Sequence, residues 1–226
     1  MLIHDKGLRV ASYNIRKAVG LDRRRDPMRI LKVLNGLDAD VIALQEADLR
    51  MGARPSALCR NLIDAETDFT VVPIARNDVS LGWHGNAVLI RKGMTHGAIS
   101  HIDLPGLEPR GAVRVDLPAF SLVATHLGLM RRHRARQLRT IARALDGAPR
   151  AIVLGDFNEW SPHKGLEQLS DFAVHAPGHS FHAARPVAAL DRIAVSGGID
   201  LRDAGVVQTG LARHASDHLP IWADVA

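Results

Sequence analysis

Short runs of apolar residues, rich in Val, Ile and Leu, recur along the whole chain and alternate with a few amphipathic stretches. Such runs, separated by turn-forming residues, are typical of the strands of an α/β protein rather than of a helical bundle. The predicted strands are Leu8–Tyr13, Asp40–Leu44, Phe69–Ile74, Asn86–Arg91, Ala112–Leu117, Ser121–Thr125, Ala151–Leu154, Leu190–Val195 and Leu219–Ala223. Because nine strands are too many for one small flat sheet, we expect two packed sheets.

Two segments have the spacing of amphipathic helices. Pro27–Leu37 carries proline in its first turn, and Met130–Leu145 ends before Asp146-Gly147. No stretch of the 226 residues resembles a linker, so residues 1–226 are expected to form a single domain. No run approaches the roughly 20 apolar residues that a membrane helix needs, and the first residues lack the pattern of a secretory signal. We therefore expect a cytoplasmic monomer with no integral membrane segment.

The formal charge of +5 and the isoelectric point near 10.0 favour polyanionic partners, such as nucleic acid, phospholipid or a small phosphorylated substrate. Composition weakens this inference, because only 5 of the 29 basic residues are Lys, and a joint excess of Arg and Ala can arise from genomic base composition. Three Trp, one Tyr and five Phe also leave little material for stacking single-stranded bases. The single cysteine excludes an internal disulfide and a thiolate metal cage.

Polar side chains follow several of the predicted strands at the point where each strand ends. They are Asn14, Glu46, His126, and the pair Asp156 and Asn158, while Asp217 and His218 directly precede the last strand. If these strands run in one direction, their ends bring amide, carboxylate and imidazole groups together at one rim. The sequence therefore predicts a polar site at one end of the sheets.

This set of side chains suits a hard metal ion and a phosphate group. Mg²⁺, or Mn²⁺ as an alternative, usually takes one or two protein carboxylates and keeps several waters, and Glu46 is the best candidate for that anchor. Zinc is disfavoured because the 12 His residues lack the short paired spacings of a zinc site. Hydrolysis of a phosphate ester also needs a base, donors to the phosphoryl oxygens and help for the leaving oxygen. Asp156, Asn158, His126 and His218 could divide these tasks.

Each of these residues, taken alone, has a simpler structural explanation. Asp156 to Asn158 could form an Asx turn, and Glu46 could be an acid at a helix N-terminus. Asn14 could cap a turn, and His126 and His218 could be hydrogen-bonded, half-buried histidines. Their joint order along the chain decides between the two explanations.

Seven short motifs occur in that order: Tyr13–Arg16, Leu44–Glu46, Gly85–Leu89, Thr125–Leu127, Gly155–Asn158, Leu190–Ile193 and Ser216–Pro220. They resemble, in sequence order and over nearly the whole chain, the motifs of the endonuclease/exonuclease/phosphatase superfamily. The resemblance implies an α/β fold, a deoxyribonuclease-like four-layer sandwich of two packed mixed β-sheets flanked by helices. It also places the site at one end of that sandwich.

The resemblance also implies a role for individual residues. Glu46 matches the metal-binding glutamate, Asn14 the amide that supports metal and phosphate, and Asp217 an acid at the metal site. Asp156 and Asn158 match the pair that orients the attacking water and the phosphoryl oxygens. The remaining implied roles are a phosphate-contacting or basic His218 oriented by Asp191, a leaving-group histidine at His126, and phosphate-binding positions at Arg110 and Asn86.

The departures from the superfamily pattern narrow the function. Arg16 stands where abasic-site endonucleases carry an acid, and Thr125–Leu127 replaces their tyrosine motif, so DNA repair is disfavoured. Leu190–Ile193 is similar to a bacterial group of small metal-dependent hydrolases. The implied function is a Mg²⁺-dependent phosphoesterase that cleaves a phosphodiester of phospholipid-like, nucleic-acid or small-molecule type. A Mg²⁺-dependent nuclease and a non-catalytic phosphate-binding module remain open.

Two arginine-rich stretches could attract such a polyanion. One is Arg131–Arg139, directly after the His126 motif, and the other is Arg23–Arg25 in the loop after the first motif. Leu138, Ile141 and Leu145 follow the opposite face of the first stretch, which favours a solvated basic face on an amphipathic helix. If nucleic acid is the substrate, both stretches should contribute phosphate contacts that weaken with salt.

Overall fold

The structure, a computed structural model, describes residues 7–162 and 164–226. The strands are β1 (Leu8–Asn14), β2 (Val41–Gln45), β3 (Phe69–Val71), β4 (Ala87–Arg91), β5 (Ile99–Leu104), β6 (Arg110–Asp116), β7 (Ser121–His126), β8 (Ala151–Asp156), β9 (Phe172–His175), β10 (Asp191–Ser196), β11 (Leu201–Val206) and β12 (Ile221–Val225). The helices are α1 (Pro27–Asn35), α2 (Arg60–Glu66), α3 (Arg131–Ala144) and α4 (Ala212–Ala215). Short 3₁₀ turns occupy Arg16–Ala18 and Glu167–Leu169.

The strands form two six-stranded mixed sheets. The first sheet has the order β11-β12-β1-β2-β4-β3, and the second has the order β5-β6-β7-β8-β10-β9. One central pair in each sheet is parallel, β1 with β2 and β7 with β8, and the other pairs are antiparallel. A parallel pair needs a crossover connection, which α1 provides in the first sheet and α3 in the second.

Three apolar clusters define four layers. The central cluster joins the inner faces of the two sheets, for example Val10 and Val88 with Leu122 and Ile152. A second cluster packs α1 on the outer face of the first sheet, and a third packs α3 on the outer face of the second. Because successive strand residues point to opposite faces, β1 supplies both the central cluster and the α1 cluster. The predicted four-layer α/β sandwich of two packed mixed sheets is confirmed.

Differences from the predicted elements lie mainly at the sheet edges. β5, β9 and β11 were absent from the prediction, and each lies at the edge of a sheet with partly exposed residues. Edge strands lack the continuous apolar runs of the buried strands, so their sequences carry a weaker signal. β3 is shorter than predicted and α2 and α4 were not predicted, whereas α1 and α3 lie within the predicted helices. Among the described residues, no helix has the length and apolar character to cross a bilayer.

Candidate active site

Strand pairing places three of the predicted site residues in one row at the end of the second sheet. His126 on β7 pairs with Asp156 on β8, and Asp156 pairs with Asp191 on β10. Asn14, at the end of β1 in the first sheet, donates a hydrogen bond from Nδ2 to Asp156 Oδ2 at 3.0 Å. This contact joins the ends of the two sheets, so the polar strand ends meet at one rim.

Asp156 lies at the centre of the site. Its Oδ2 atom lies 3.3 Å from His126 Nε2 and 3.7 Å from His218 Nε2, in addition to the contact with Asn14. Its Oδ1 atom accepts a hydrogen bond from the Asn158 backbone N–H at 2.9 Å. Burial raises the pKa of the Asp156 carboxyl and the charge of nearby Asp191 adds to the rise, while the positive charge of His218 opposes it. The carboxyl is therefore a stronger proton acceptor than an exposed aspartate.

His218 and Asp191 form a buried pair beside Asp156. His218 Nδ1 lies 2.8 Å from Asp191 Oδ2, and the Ser180 hydroxyl donates to the same oxygen at 2.5 Å. Burial lowers the pKa of His218, but the carboxylates of Asp191 and Asp156 outweigh it and raise that pKa to about 10. The Phe181 ring lies against the imidazole, with ring centroids 4.9 Å apart. At neutral pH the structure thus holds a buried imidazolium whose Nε2–H side faces Asp156.

His126, unlike His218, is uncharged. Burial lowers its pKa well below the ordinary value, and the positive charges of Arg110 and His218 lower it further. The imidazole is therefore neutral at pH 7, and its Nε2 atom can donate a hydrogen bond toward Asp156 Oδ2. Two histidines, one neutral and one cationic, consequently meet at a single carboxylate oxygen.

Glu46 follows β2 with a positive φ of 52°, a conformation that non-glycine residues adopt mainly at constrained positions. Its carboxylate contacts the Lys17 ammonium and accepts a hydrogen bond from Arg50 Nη2 at 3.0 Å. Burial raises the pKa of Glu46, but the two cations outweigh it and the net pKa is lowered. The carboxylate is therefore ionised and already attracts positive charge.

The other predicted metal ligands lie close to Arg16. The Asp217 carboxylate forms an ion pair with Arg16 Nε at 3.3 Å, and Asn14 Oδ1 accepts a hydrogen bond from the Arg16 backbone N–H at 3.1 Å. A different set of three groups, Asp156, Asp191 and His218, has potential ligand atoms within 4.8 Å of one another. In this second set, Asp191 Oδ2 is already engaged by His218 Nδ1 and by the Ser180 hydroxyl.

Three further predicted residues surround this centre. Arg110 donates two hydrogen bonds to Glu108 Oε2 at 2.8 and 3.1 Å. Asn158, with a positive φ of 52°, donates from Nδ2 to the Leu127 carbonyl at 2.9 Å. Asn86 is buried between the sheets, where its Nδ2 donates to the carbonyls of Gly111 and Trp83. The Asn86 donors are thus engaged by the backbone, and its predicted phosphate contact stays a prediction.

Contacts made by several residues outside the predicted set also shape the site. Ser180 holds Asp191, and Lys17 and Arg50 hold the Glu46 carboxylate. Glu46 and Arg50 lie in an irregular segment, so their four-residue separation carries no helical pairing signal. Ser180 also lacks a sequence signal, because it lies 11 residues before Asp191 in an irregular segment.

The basic segment at the start of α3 is only partly the solvated face that was predicted. Arg134 is buried and pairs with the buried Glu159 carboxylate at 2.7 Å, and Arg131 contacts the same carboxylate at 2.8 Å. Burial raises the pKa of Glu159, but the two guanidinium groups outweigh it and lower the pKa to about 2. The prediction of a solvated face is therefore wrong for these two arginines. Their ion pairs connect α3 to the loop that follows Asn158.

The chain is similar to known proteins over nearly its whole length. An uncharacterized Escherichia coli protein, YbhP, is 31% identical, and the match covers 96% of this chain and 95% of YbhP. An endonuclease/exonuclease/phosphatase structure from Beutenbergia cavernae has a TM-score of 0.74 at 21% identity, covering 97% of this chain and 71% of that one. A mannosyl-6-phosphatase from Bacteroides thetaiotaomicron has a TM-score of 0.75 at 19% identity, covering 97% of this chain and 99% of that one.

The sequence model of the Endonuclease/Exonuclease/phosphatase family matches residues 11–218. The matched region extends from β1 to His218 and so includes every element that contributes to the rim. The chain belongs to the endonuclease/exonuclease/phosphatase family.

Proposed function

We propose that this protein is a divalent-metal-dependent phosphodiesterase that cleaves its substrate by attack of water at phosphorus. The observation that carries the proposal is the arrangement at Asp156 Oδ2, where Asn14, neutral His126 and cationic His218 converge. A buried carboxylate with a raised pKa beside an imidazolium can accept a proton and stabilise negative charge within one small volume.

Asp156 is the proposed base. Its raised pKa brings it closer to the working pH than an exposed aspartate, which favours removal of a proton from the attacking water. The Asn158 backbone N–H and the Asn14 amide hold the two carboxylate oxygens, one each, so the group has a fixed orientation. Fixed orientation matters because a small misplacement of a reacting group can cost a large factor in rate.

His218 is the proposed donor to the phosphoryl oxygens. Its positive charge is maintained by Asp191, and Ser180 in turn fixes the Asp191 carboxylate. A preorganised cation in a site that excludes water stabilises charge that develops in the transition state. His126 is neutral, so we assign it a hydrogen bond to the leaving oxygen rather than transfer of a positive charge.

The donor set fits the predicted Mg²⁺ or Mn²⁺. Glu46 presents an ionised carboxylate that already attracts the Lys17 ammonium, and Asn14 and Asp217 add amide and carboxylate oxygens close to Arg16. Hard oxygen ligands of this kind suit Mg²⁺ and Mn²⁺. A bound dication would polarise the phosphoryl group and neutralise part of its charge.

Two alternative functions would use the same site. A Mg²⁺-dependent nuclease would use these groups on nucleic acid, and one structural neighbour with a TM-score of 0.71 is a zebrafish TDP2 complexed with a single-strand DNA product. A non-catalytic phosphate-binding module would have no use for the buried base at Asp156. Phospholipid-like, nucleic-acid and small phosphodiesters therefore all belong in the substrate panel.

Hydrolysis of bis-p-nitrophenyl phosphate in Mg²⁺ or Mn²⁺ tests the proposal. Glu46→Gln and Asp156→Asn should each lower kcat by roughly 100-fold or more, the size expected for loss of a charged group that acts on the transition state. The matched controls Glu66→Gln and Asp171→Asn change exposed carboxylates and should keep full activity. Circular dichroism should show that all four variants are folded.

The outcomes separate the alternatives. Full activity in both site variants would contradict the proposal, and absence of metal-dependent turnover on the whole panel would favour the binding module. Nicking of plasmid DNA in Mg²⁺, with EDTA as the control, would identify a nuclease. Loss of activity in Glu46→Gln alone would remove the role of Asp156 as base.

A further inference from the structure

A cavity of about 170 Å³ opens beside Glu46 and His126, where loops from both sheets meet. The lining residues are Glu46, Asp48, Leu49, Arg50, Arg54, His84, Gly85, Glu108, Pro109, Arg110 and His126. They come from the loop after β2, the turn before β4, the start of β6 and the end of β7. Three guanidinium groups therefore line a cavity that borders the proposed catalytic site at Glu46 and His126.

Two of the three arginines are already paired. Arg110 donates to Glu108, and Arg50 donates to Glu46, which also contacts Lys17. Arg54 differs from both, because it forms no ion pair with any carboxylate in the part of the chain that the structure describes. It is thus the cation of this cavity whose charge an incoming anion can compensate directly.

The lining also contains Asp48, which forms no ion pair with Arg54 among the described residues. Asp48 is buried, and its Oδ1 atom accepts a hydrogen bond from the Leu81 backbone N–H at 2.7 Å. The lining thus holds three acids and three arginines, and Arg54 is the arginine that no carboxylate pairs within the described residues.

The backbone around Arg54 is constrained in a way that holds its side chain at the cavity. Arg54 Nη1 lies 3.2 Å from His84 Nδ1, and both residues have positive φ, 55° and 50°. Burial and the adjacent guanidinium lower the pKa of His84, so its ring is neutral. His84 therefore adds no second positive charge beside Arg54. Strained non-glycine residues persist where the surrounding structure over-determines them, which is common at ligand sites.

We propose that this cavity binds a second phosphate group, carried on the alcohol part of the substrate, with Arg54 as its principal contact. The inference rests on the proposed function and specifies its substrate class: a phosphodiester whose alcohol bears a phosphate monoester. A guanidinium group presents paired N–H donors that match phosphate oxygens, which makes arginine well suited to a dianion. An alcohol carrying a neutral or cationic group would leave the Arg54 charge without compensation.

The test compares two esters that differ by one phosphate group, thymidine 5′-(p-nitrophenyl phosphate) with and without a 3′-phosphate. We expect kcat/KM to be roughly 10- to 100-fold higher for the ester with the 3′-phosphate, the range for one charge-assisted hydrogen-bonded contact. Arg54→Gln should abolish this preference, mainly through KM, and leave hydrolysis of bis-p-nitrophenyl phosphate unchanged. The control Arg139→Gln alters an exposed arginine on α3 and should leave kcat/KM for all three substrates unchanged.

A binding measurement separates failure of this inference from failure of the proposed function. Calorimetry in EDTA should show tighter binding of thymidine 3′,5′-bisphosphate than of thymidine 5′-monophosphate, with the difference lost in Arg54→Gln. If no ester is hydrolysed but this Arg54-dependent preference is present, the proposed function fails and the phosphate site stands. If the esters are hydrolysed with equal kcat/KM in wild type and the binding difference is absent, the phosphate site is wrong and the phosphodiesterase stands.

Discussion

Replacement of Asp191 by Asn tests how the charge on His218 is maintained. The substitution keeps the size of the side chain and one acceptor oxygen, replaces the other oxygen by an NH2 donor, and removes the negative charge 2.8 Å from His218 Nδ1. With the charge centres about 4 Å apart and an effective dielectric constant of about 20, this charge contributes about 4 kcal/mol to the protonated form. At 1.36 kcal/mol per pKa unit, the pKa of His218 should fall by about 3 units.

The predicted consequence is an activity defect that depends on pH. In the wild type, where the Asp191 and Asp156 carboxylates raise the pKa of His218 to about 10, the imidazole stays protonated up to about pH 9. In Asp191→Asn, with a pKa of about 7, roughly 90% of His218 is protonated at pH 6 but only about 1% at pH 9. The ratio of wild-type to variant kcat/KM should therefore rise from near 1 at pH 6 to about 100 at pH 9, apart from any constant loss of orientation.

The assay is the pH profile of bis-p-nitrophenyl phosphate hydrolysis, accompanied by NMR titration of the His218 ring protons. A ratio that is the same at every pH would refute the electrostatic role and leave Asp191 as a purely orienting residue. An NMR-derived pKa that is unchanged by the substitution would refute it independently of activity.

Two further predictions concern stability. Glu159→Gln should lower the free energy of unfolding by about 3 kcal/mol in urea titrations at pH 7, because it leaves the buried Arg134 without its charge partner. Since the folded-state pKa of Glu159 is lowered to about 2, this stabilisation is present above the unfolded pKa and is lost as pH falls toward 2, so wild type and variant should converge in acid. Gly155→Ala should cost roughly 3 kcal/mol or more, because a Cβ there would lie 1.8 Å from the Thr125 carbonyl oxygen at φ 151°. Gly197→Ala, which meets no atom within 4 Å, is its control, and equal stability of the two alanine variants would contradict the clash.

The central strands could be predicted from the sequence because burial and pattern agree there. β2, β7 and β8 are buried along their whole length, so each appears as a continuous apolar run. β11, by contrast, contains Arg202, Asp203 and Gly205 and lies at an edge, where its pairing with β12 rather than its own side chains stabilises it. Local pattern cannot report such a dependence on a partner strand.

Much of the site geometry could also be anticipated, because the polar residues follow the strands directly. His126, Asp156 and Asp191 share one row, and Asn14 reaches Asp156 from the other sheet, although their catalytic roles stay predictions. Charge states could not be anticipated. The opposite pKa shifts of the two histidines depend on burial and on carboxylates that are distant in sequence, and these become neighbours only in the folded protein.

The position of β12 between β1 and β11 has a consequence for the order in which the protein folds. Residues 99–196 supply every strand of the second sheet, so its strand pairings all form within one contiguous part of the chain. The first sheet is completed only when β12 joins it, which pairs Ser12 with Ile221 across more than 200 residues. Contacts of such long range form slowly because a large loop must close first. His218 lies just before this late strand, so the protein should acquire its completed reaction centre in the final stage of folding.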